Sequence, residues 1–121
     1  MHELSVCQAL VEQLEEIARE HGAAHIDRVV LHIGPLSGIE ARLLEQAYPL
    51  AAAGTVADSA LLVIEPAPVK VRCARCGEET EALPNRLLCG ACGDFRTNLV
   101  SGDEMILASV ELTKQRVKVQ G

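Results

Sequence analysis

Two short runs carry the most specific chemistry in the chain, Cys73-Ala-Arg-Cys76-Gly77 and Cys89-Gly-Ala-Cys92-Gly93, separated by twelve residues. Two thiolates three positions apart fit a tight turn in which both sulfurs converge on one ion. The glycine after each second cysteine tolerates positive φ, which lets backbone N–H groups approach and polarise the sulfurs. Two such knuckles facing each other give tetrahedral S₄ coordination, the donor set that selects zinc or, less often, iron. The competing readings are two disulfides, or four loose cysteines in a surface loop, and neither accounts for the repeated glycine. Five cysteines is also an odd count, in a chain expected to stay in a reducing compartment. With Cys73, Cys76, Cys89 and Cys92 as ligands the coordination sphere is closed, so the site is expected to be structural rather than catalytic. A segment of this size, with so few apolar side chains, takes its folding energy from the metal, on the order of 10 kcal/mol or more. Chelation is therefore expected to unfold residues 70–96 before the helical part.

The opening residues Met1-His2-Glu3 offer a second donor set. The α-amine of Met1, a backbone nitrogen and the His2 imidazole can close chelate rings around one ion, and Glu3 can add its backbone amide or its carboxylate. Planar, nitrogen-rich sets suit Ni(II) or Cu(II), whose d-electron configurations favour tetragonal geometry. A competing reading needs no metal. Glu3 is favourable at a helix start on dipole grounds alone, and a histidine at position two is commonly an ordinary terminal residue. Of the other histidines, His21 falls in the last turn of a helix, His25 in a turn and His32 on the surface of a strand. Cys7 lies on an apolar helix face, as a small buried hydrophobe does.

Net charge is −6 and aromatic residues are only 2% of the 121-residue chain. That combination lacks both the positive field and the stacking platforms of nucleic-acid binders. The cysteine-rich segment is itself balanced, with Lys70, Arg72, Arg75, Arg86 and Arg96 against Glu78, Glu79, Glu81 and Asp94. No apolar run reaches the ~20 residues that span a bilayer, and no basic region followed by an apolar stretch marks a secretory signal. A cytoplasmic protein is expected, with no membrane or nucleic-acid partner. Its core must be aliphatic.

These residues need elements to position them. Leu4, Cys7, Leu10, Val11, Leu14, Ile17 and Ala18 recur at helical spacing over residues 3–21, and Gly22 is placed to end that helix. Ile26 to Ile33 alternates as a strand, and Gly34-Pro-Leu-Ser-Gly38 is a turn. A second helix starts near Ile39, and Pro49 is expected to kink or end it near Tyr48. Residues 60–65 and 104–112 read as two more strands, the latter with Ile106, Ala108, Val110 and Leu112 on one face and a fraying extension beyond. The expected fold is α+β: a three-stranded sheet covered by two helices, with a Cys₄ zinc ribbon inserted between the second and third strands. Residues 1–68 and 98–121 would form one discontinuous domain and residues 69–97 the zinc-binding domain.

The segments MHELSVCQALVEQLEE, VVLHIGPLSGIE, GTVADSALLVIE, the paired knuckles and SGDEMILASVEL resemble, in order over roughly residues 1–112, the nickel metallochaperones of hydrogenase maturation of the HypA type. The resemblance implies a nickel-binding α/β domain and a zinc domain. It implies that His2 is the essential nickel ligand, assisted by the Met1 amine and Glu3, and that Cys73, Cys76, Cys89 and Cys92 hold structural zinc. It further implies transient carriage of Ni(II) to the precursor of the large subunit of nickel–iron hydrogenase, alongside a nickel-handling GTPase, with urease as a second client in some members. No enzymatic activity is expected, because the chain shows neither a catalytic dyad nor a phosphate-binding glycine loop. Two departures stand out. Glu45-Gln-Ala-Tyr-Pro-Leu-Ala-Ala-Ala-Gly54 replaces an aromatic-rich stretch, and Gly90 stands where the family often has proline. The alternative from the residues alone is a zinc-ribbon module that binds nucleic acid or protein and transfers no metal.

Overall fold

A computed structural model describes residues 3–114. The elements run α1 (Glu3–Glu20), β1 (Ala23–Ile33), α2 (Ala41–Ala52), β2 (Leu61–Pro66), β3 (Lys70–Cys73), β4 (Glu79–Glu81), β5 (Thr97–Ser101) and β6 (Met105–Lys114). They form two three-stranded sheets, ordered β2-β1-β6 and β4-β3-β5. The fold is α+β, with two helices, the expected three-stranded sheet and a second sheet in the cysteine-rich insertion. No helix among the described residues is long and apolar enough to cross a membrane.

Two compact units divide the chain. The first takes residues 3–31, 40–63 and 107–114, and the second takes 32–39 and 64–106. The second unit thus includes more chain than the segment 69–97.

In the first unit, α1 is amphipathic as its spacing predicts. Cys7, Leu10, Val11, Leu14 and Ala18 are buried on one stripe, while Leu4 is exposed. Gly22 adopts φ +61° just past the end of α1, the left-handed conformation that costs glycine least. Strand β1 buries Ile26, Val29 and Leu31, so its alternation slips at Asp27 and Arg28. Those two exposed side chains face β6: Asp27 accepts from the Thr113 hydroxyl at 2.6 Å, and Arg28 lies 3.9 Å from Glu111. Helix α2 packs on α1 and buries Leu44, Tyr48 and Ala52. It runs through Pro49 to Ala52, where the expectation was a stop or kink near Tyr48. The Ala53 N–H closes the last turn on the Pro49 carbonyl at 3.1 Å. Burial of Tyr48 and Ala52 on either side of the proline, with the Tyr48 hydroxyl donating to the Ala57 carbonyl at 3.0 Å, offsets the one bond proline removes.

In the second unit, the turn at 34–38 meets the turn at 101–104 backbone to backbone. Gly34 N–H donates to the Glu104 carbonyl and Leu36 N–H to the Gly102 carbonyl, both at 2.8 Å. A Cβ at position 34 would stand 2.0 Å from the Gly102 oxygen, so only glycine permits the approach. On β1 and β2, His32 and Glu65 meet at 3.0 Å on the surface. Strand β3 pairs antiparallel with β4 (Val71 opposite Thr80) and with β5 (Val71 opposite Leu99), and buries Val71 and Cys73. The half-buried positions of β6 are 105 and 107, then 110 and 112. The single face expected from Ile106 to Leu112 therefore breaks, with Ile106 and Ala108 exposed.

Candidate metal centre

The four cysteines of the two knuckles come together. Their Sγ atoms all lie within 4.8 Å of one another, with Cys73 to Cys92 and Cys76 to Cys89 each at 3.6 Å. Zn–S bonds of about 2.3 Å in a tetrahedron put neighbouring sulfurs about 3.8 Å apart, while a disulfide requires about 2.05 Å. The spacing fits a four-coordinate ion, and all five cysteines are free thiols.

Sequence and backbone explain why the sulfurs converge. Each knuckle closes by the same bonds. Gly77 N–H donates to the Cys73 carbonyl at 3.0 Å, and Gly93 N–H to the Cys89 carbonyl at 2.9 Å. Both glycines take the positive φ that their placement predicts, +77° and +78°. Cys73 and Cys89 donate in turn to the carbonyls of Glu78 and Asp94. The N–H groups of Arg75 and Cys76 point at Cys73 Sγ (3.3 and 3.4 Å), and those of Ala91 and Cys92 at Cys89 Sγ (3.3 and 3.4 Å). These donors favour the thiolate at Cys73 and Cys89. Led by the N–H groups of Cys76 and Cys92 respectively, they lower the Cys73 thiol and bring Cys89 to about 6. At Cys76 and Cys92 the single backbone N–H from Glu78 and Asp94 is outweighed by burial and the neighbouring sulfurs, which push Cys76 up to about 12 and raise Cys92. Thiolate is the form that binds metal.

Around the sulfurs lies a carboxylate–guanidinium cluster that the sequence reading did not single out. The Asp94 side chain, 6% exposed, accepts from Arg96 Nε and Nη2 at 3.1 and 2.9 Å and from the Arg96 backbone at 2.8 Å. Arg75 of the other knuckle stands 3.6 Å away. The Arg96 hydrogen bonds hold the Asp94 carboxyl well below the usual carboxylate range. The Arg96 carbonyl accepts from Ala74 N–H at 2.8 Å, so one residue ties the knuckles through both side chain and backbone. The signal was present in the repeat, which extends to C-x2-C-G-[E/D] and matches Asp94 with Glu78. Gly90 donates its N–H to Thr80 Oγ1 at 2.7 Å, a bond that proline at this position could not make.

Of the N-terminal donor set, Met1 and His2 lie outside the described residues. Glu3 begins α1 and is buried, with one carboxylate oxygen 3.5 Å from the backbone N of Glu40, the N-cap of α2. The N-cap itself has no side-chain hydrogen bond from its own helix. The Glu3 carboxylate therefore sits at the positive ends of two helices at once. Nothing in the local sequence announced that contact, which joins residues 37 positions apart. Cys7 is a buried core thiol that donates to the Leu44 carbonyl at 3.5 Å, and burial, with the Glu3 charge second, raises its pKa. His25 is exposed, His21 follows the last turn of α1, and His32 is paired with Glu65.

Comparison with known proteins matches residues 1–112 to the family described as hydrogenase/urease nickel incorporation, metallochaperone, hypA. The hydrogenase maturation factor HypA of Nitrosospira multiformis is 53% identical over 112 residues, covering 93% of this chain and 97% of the relative. That of Aquifex aeolicus is 43% identical over the same shares. The solution structure of the Ni metallochaperone HypA from Helicobacter pylori superposes with a TM-score of 0.71 at 29% identity, covering 95% of this chain and all of that one. The chain belongs to the HypA family of nickel metallochaperones in hydrogenase maturation, a family of maturation factors rather than enzymes.

Proposed function

We propose that this protein captures Ni(II) transiently at its N-terminus while zinc holds the cysteine knuckles permanently. The observation that carries the division is the difference between the two donor sets. Four sulfurs within 4.8 Å, each knuckle lined with N–H donors, make a closed and preorganised site for zinc. Such a site has no position for a cargo ion to enter or leave. An exchangeable metal must use other donors, and Met1, His2 and Glu3 are the set whose chemistry suits nickel.

Glu3 sharpens this reading. Its carboxylate is engaged at the start of α2, whereas its amide, at the first helical position, has no intrahelical acceptor. The amide is thus the donor that Glu3 offers, beside the Met1 amine and the His2 imidazole and backbone nitrogen. Two helix N-termini meet near Glu3, so a cation there is disfavoured until amides deprotonate. A site balanced in this way fills and empties readily, as delivery requires. Residues 1–68 and 98–121 would then serve nickel and 69–97 zinc. The recipients would be the nickel-handling GTPase and the hydrogenase large-subunit precursor, with urease as a second client, all in the cytoplasm. A nucleic-acid role for the ribbon is disfavoured, because Arg72, Arg75 and Arg96 are already engaged by Glu79 and Asp94.

The test is nickel titration of untagged protein with parallel zinc analysis. His2→Ala, or one residue added before Met1, should abolish tight nickel binding and leave one zinc per chain. Affinity should fall as pH drops into the range where imidazole takes up a proton, because only neutral histidine ligates. Unchanged nickel affinity in either variant would refute the terminal site.

A further inference from the structure

Three of the chain's eleven basic residues, Lys114, Arg116 and Lys118, fall in its last nine positions, and no acidic residue does. This basic tail lies beyond residue 112, where the family match ends. Its exit from the first unit is set by two contacts. Arg28 meets Glu111 and Asp27 meets Thr113, so β6 runs antiparallel to β1 and advances toward the start of that strand. Strand β1 begins at Ala23, four residues before Asp27, whereas β6 is described for one residue past Thr113. The chain therefore leaves Lys114 with residues 23–26 of β1 still ahead of it. The C-terminal end of α1 lies at that same place, joined to β1 by His21 and Gly22. Glu12, Glu16 and Glu20 recur four apart on the exposed face of α1, and none makes an ion pair with another described residue. Like charges at that spacing repel, and a carboxylate in the last turn also meets the negative end of its own helix. Arg19 is the one basic residue in that turn.

We propose that residues 115–121 continue β6 along β1 and clamp the C-terminal end of α1, with Arg116 and Lys118 set against Glu16 and Glu20. Continued from the contact of Asp27 with Thr113, the antiparallel register places Arg116 opposite Ala24 and Lys118 opposite Gly22, two positions from Glu20. Leu112 is half-buried and Thr113 exposed, so alternation puts Arg116 and Lys118 on the side of Leu112, toward the helices, and Val117 and Val119 on the other. Four extended residues reach about 13 Å, which carries the chain from Lys114 to Lys118. Two cations placed there offset both the repulsion among the glutamates and the negative end of the helix. The occupant is the chain's own tail, because its tether to β6 gives it a high effective concentration at this helix end.

The test is a double-mutant cycle on the full chain: Arg116→Glu/Lys118→Glu, Glu16→Lys/Glu20→Lys, and the two combined. Melting is followed by helical circular dichroism. The reversed tail should melt about 3–5 °C below the native chain. The same reversal made on the lysine-bearing helix should raise the melting point instead. Both shifts should shrink in ~1 M sodium chloride. Shifts of the same sign and size on either helix would overturn the clamp, since tail and helix would then not sense one another. Nuclear Overhauser contacts locate the tail independently. An equal mixture of differently isotope-labelled chains should show contacts between Ala24 and Arg116 within one chain. Their absence, or their presence only between chains as in a swapped dimer, would also overturn the proposal.

Discussion

Tyr48 is the single tyrosine of the chain, and it lies almost wholly buried in α2 with its hydroxyl donating to the Ala57 carbonyl. Burial first, with the Cys7 and Asp58 charges after it, pushes its phenol up to about 12. The sign follows from linkage. The folded state prefers the neutral phenol, so the stabilisation is whole below the unfolded pKa near 10 and is lost as pH rises toward 12. Phenolate absorbance, unambiguous with one tyrosine, should titrate well above the free phenol. Tyr48→Phe should cost about 1 kcal/mol at neutral pH through the unpaired Ala57 carbonyl. It should also flatten the alkaline fall in urea midpoint. A phenolate midpoint at the free-phenol value would show that Tyr48 is not buried as described. Glu3 makes the same point about single residues. Its carboxylate completes the N-terminus of α2, a helix with no cap of its own, so one side chain near the proposed nickel donors also has a structural task.

At the scale of elements, backbone approach decides more than side-chain type. The turn at 34–38 donates two 2.8 Å hydrogen bonds to the turn at 101–104 across a gap that no Cβ can share. Gly34→Ala should therefore destabilise by about 2 kcal/mol or more, because the obstacle is backbone and cannot rotate away. Thermal or urea unfolding of the variant measures it, and a neutral result would mean that the turns separate cheaply. Helix α2 shows the opposite balance. Proline removes one hydrogen bond, yet buried side chains before and after it carry the helix on for three residues.

For the molecule as a whole, the second unit is the one expected to depend on metal. Its buried apolar side chains are few, chiefly Ile33, Ala67, Val69 and Val71, and two of its buried residues are the clustered cysteines Cys73 and Cys89. The first unit has an aliphatic core from α1, β1 and α2, with Leu14, Ile26, Leu31 and Leu44 fully enclosed. Chelation should remove amide-exchange protection from β3, β4 and β5 while helical circular dichroism persists. Simultaneous loss of the helical signal would show that the first unit also depends on the metal.

What the sequence determined by itself was whatever is encoded over a few adjacent residues. The C-x2-C-G knuckles, the apolar stripe of α1 and the stop at Gly22 each depend on spacings of one to four positions, so they were legible before any tertiary structure. The proposed nickel donors Met1, His2 and Glu3 are a reading of the same local kind. Tertiary structure decided what depends on residues far apart in the chain. It brought Glu3 to Glu40, Arg75 to Asp94, Thr80 to Gly90 and Gly34 to Gly102. It also made strands of β3, β4 and β5, runs of only four, three and five residues, too short for periodicity to mark. Local propensity could not foresee these contacts, because each becomes favourable only once packing elsewhere has offset the entropy of bringing its partners together.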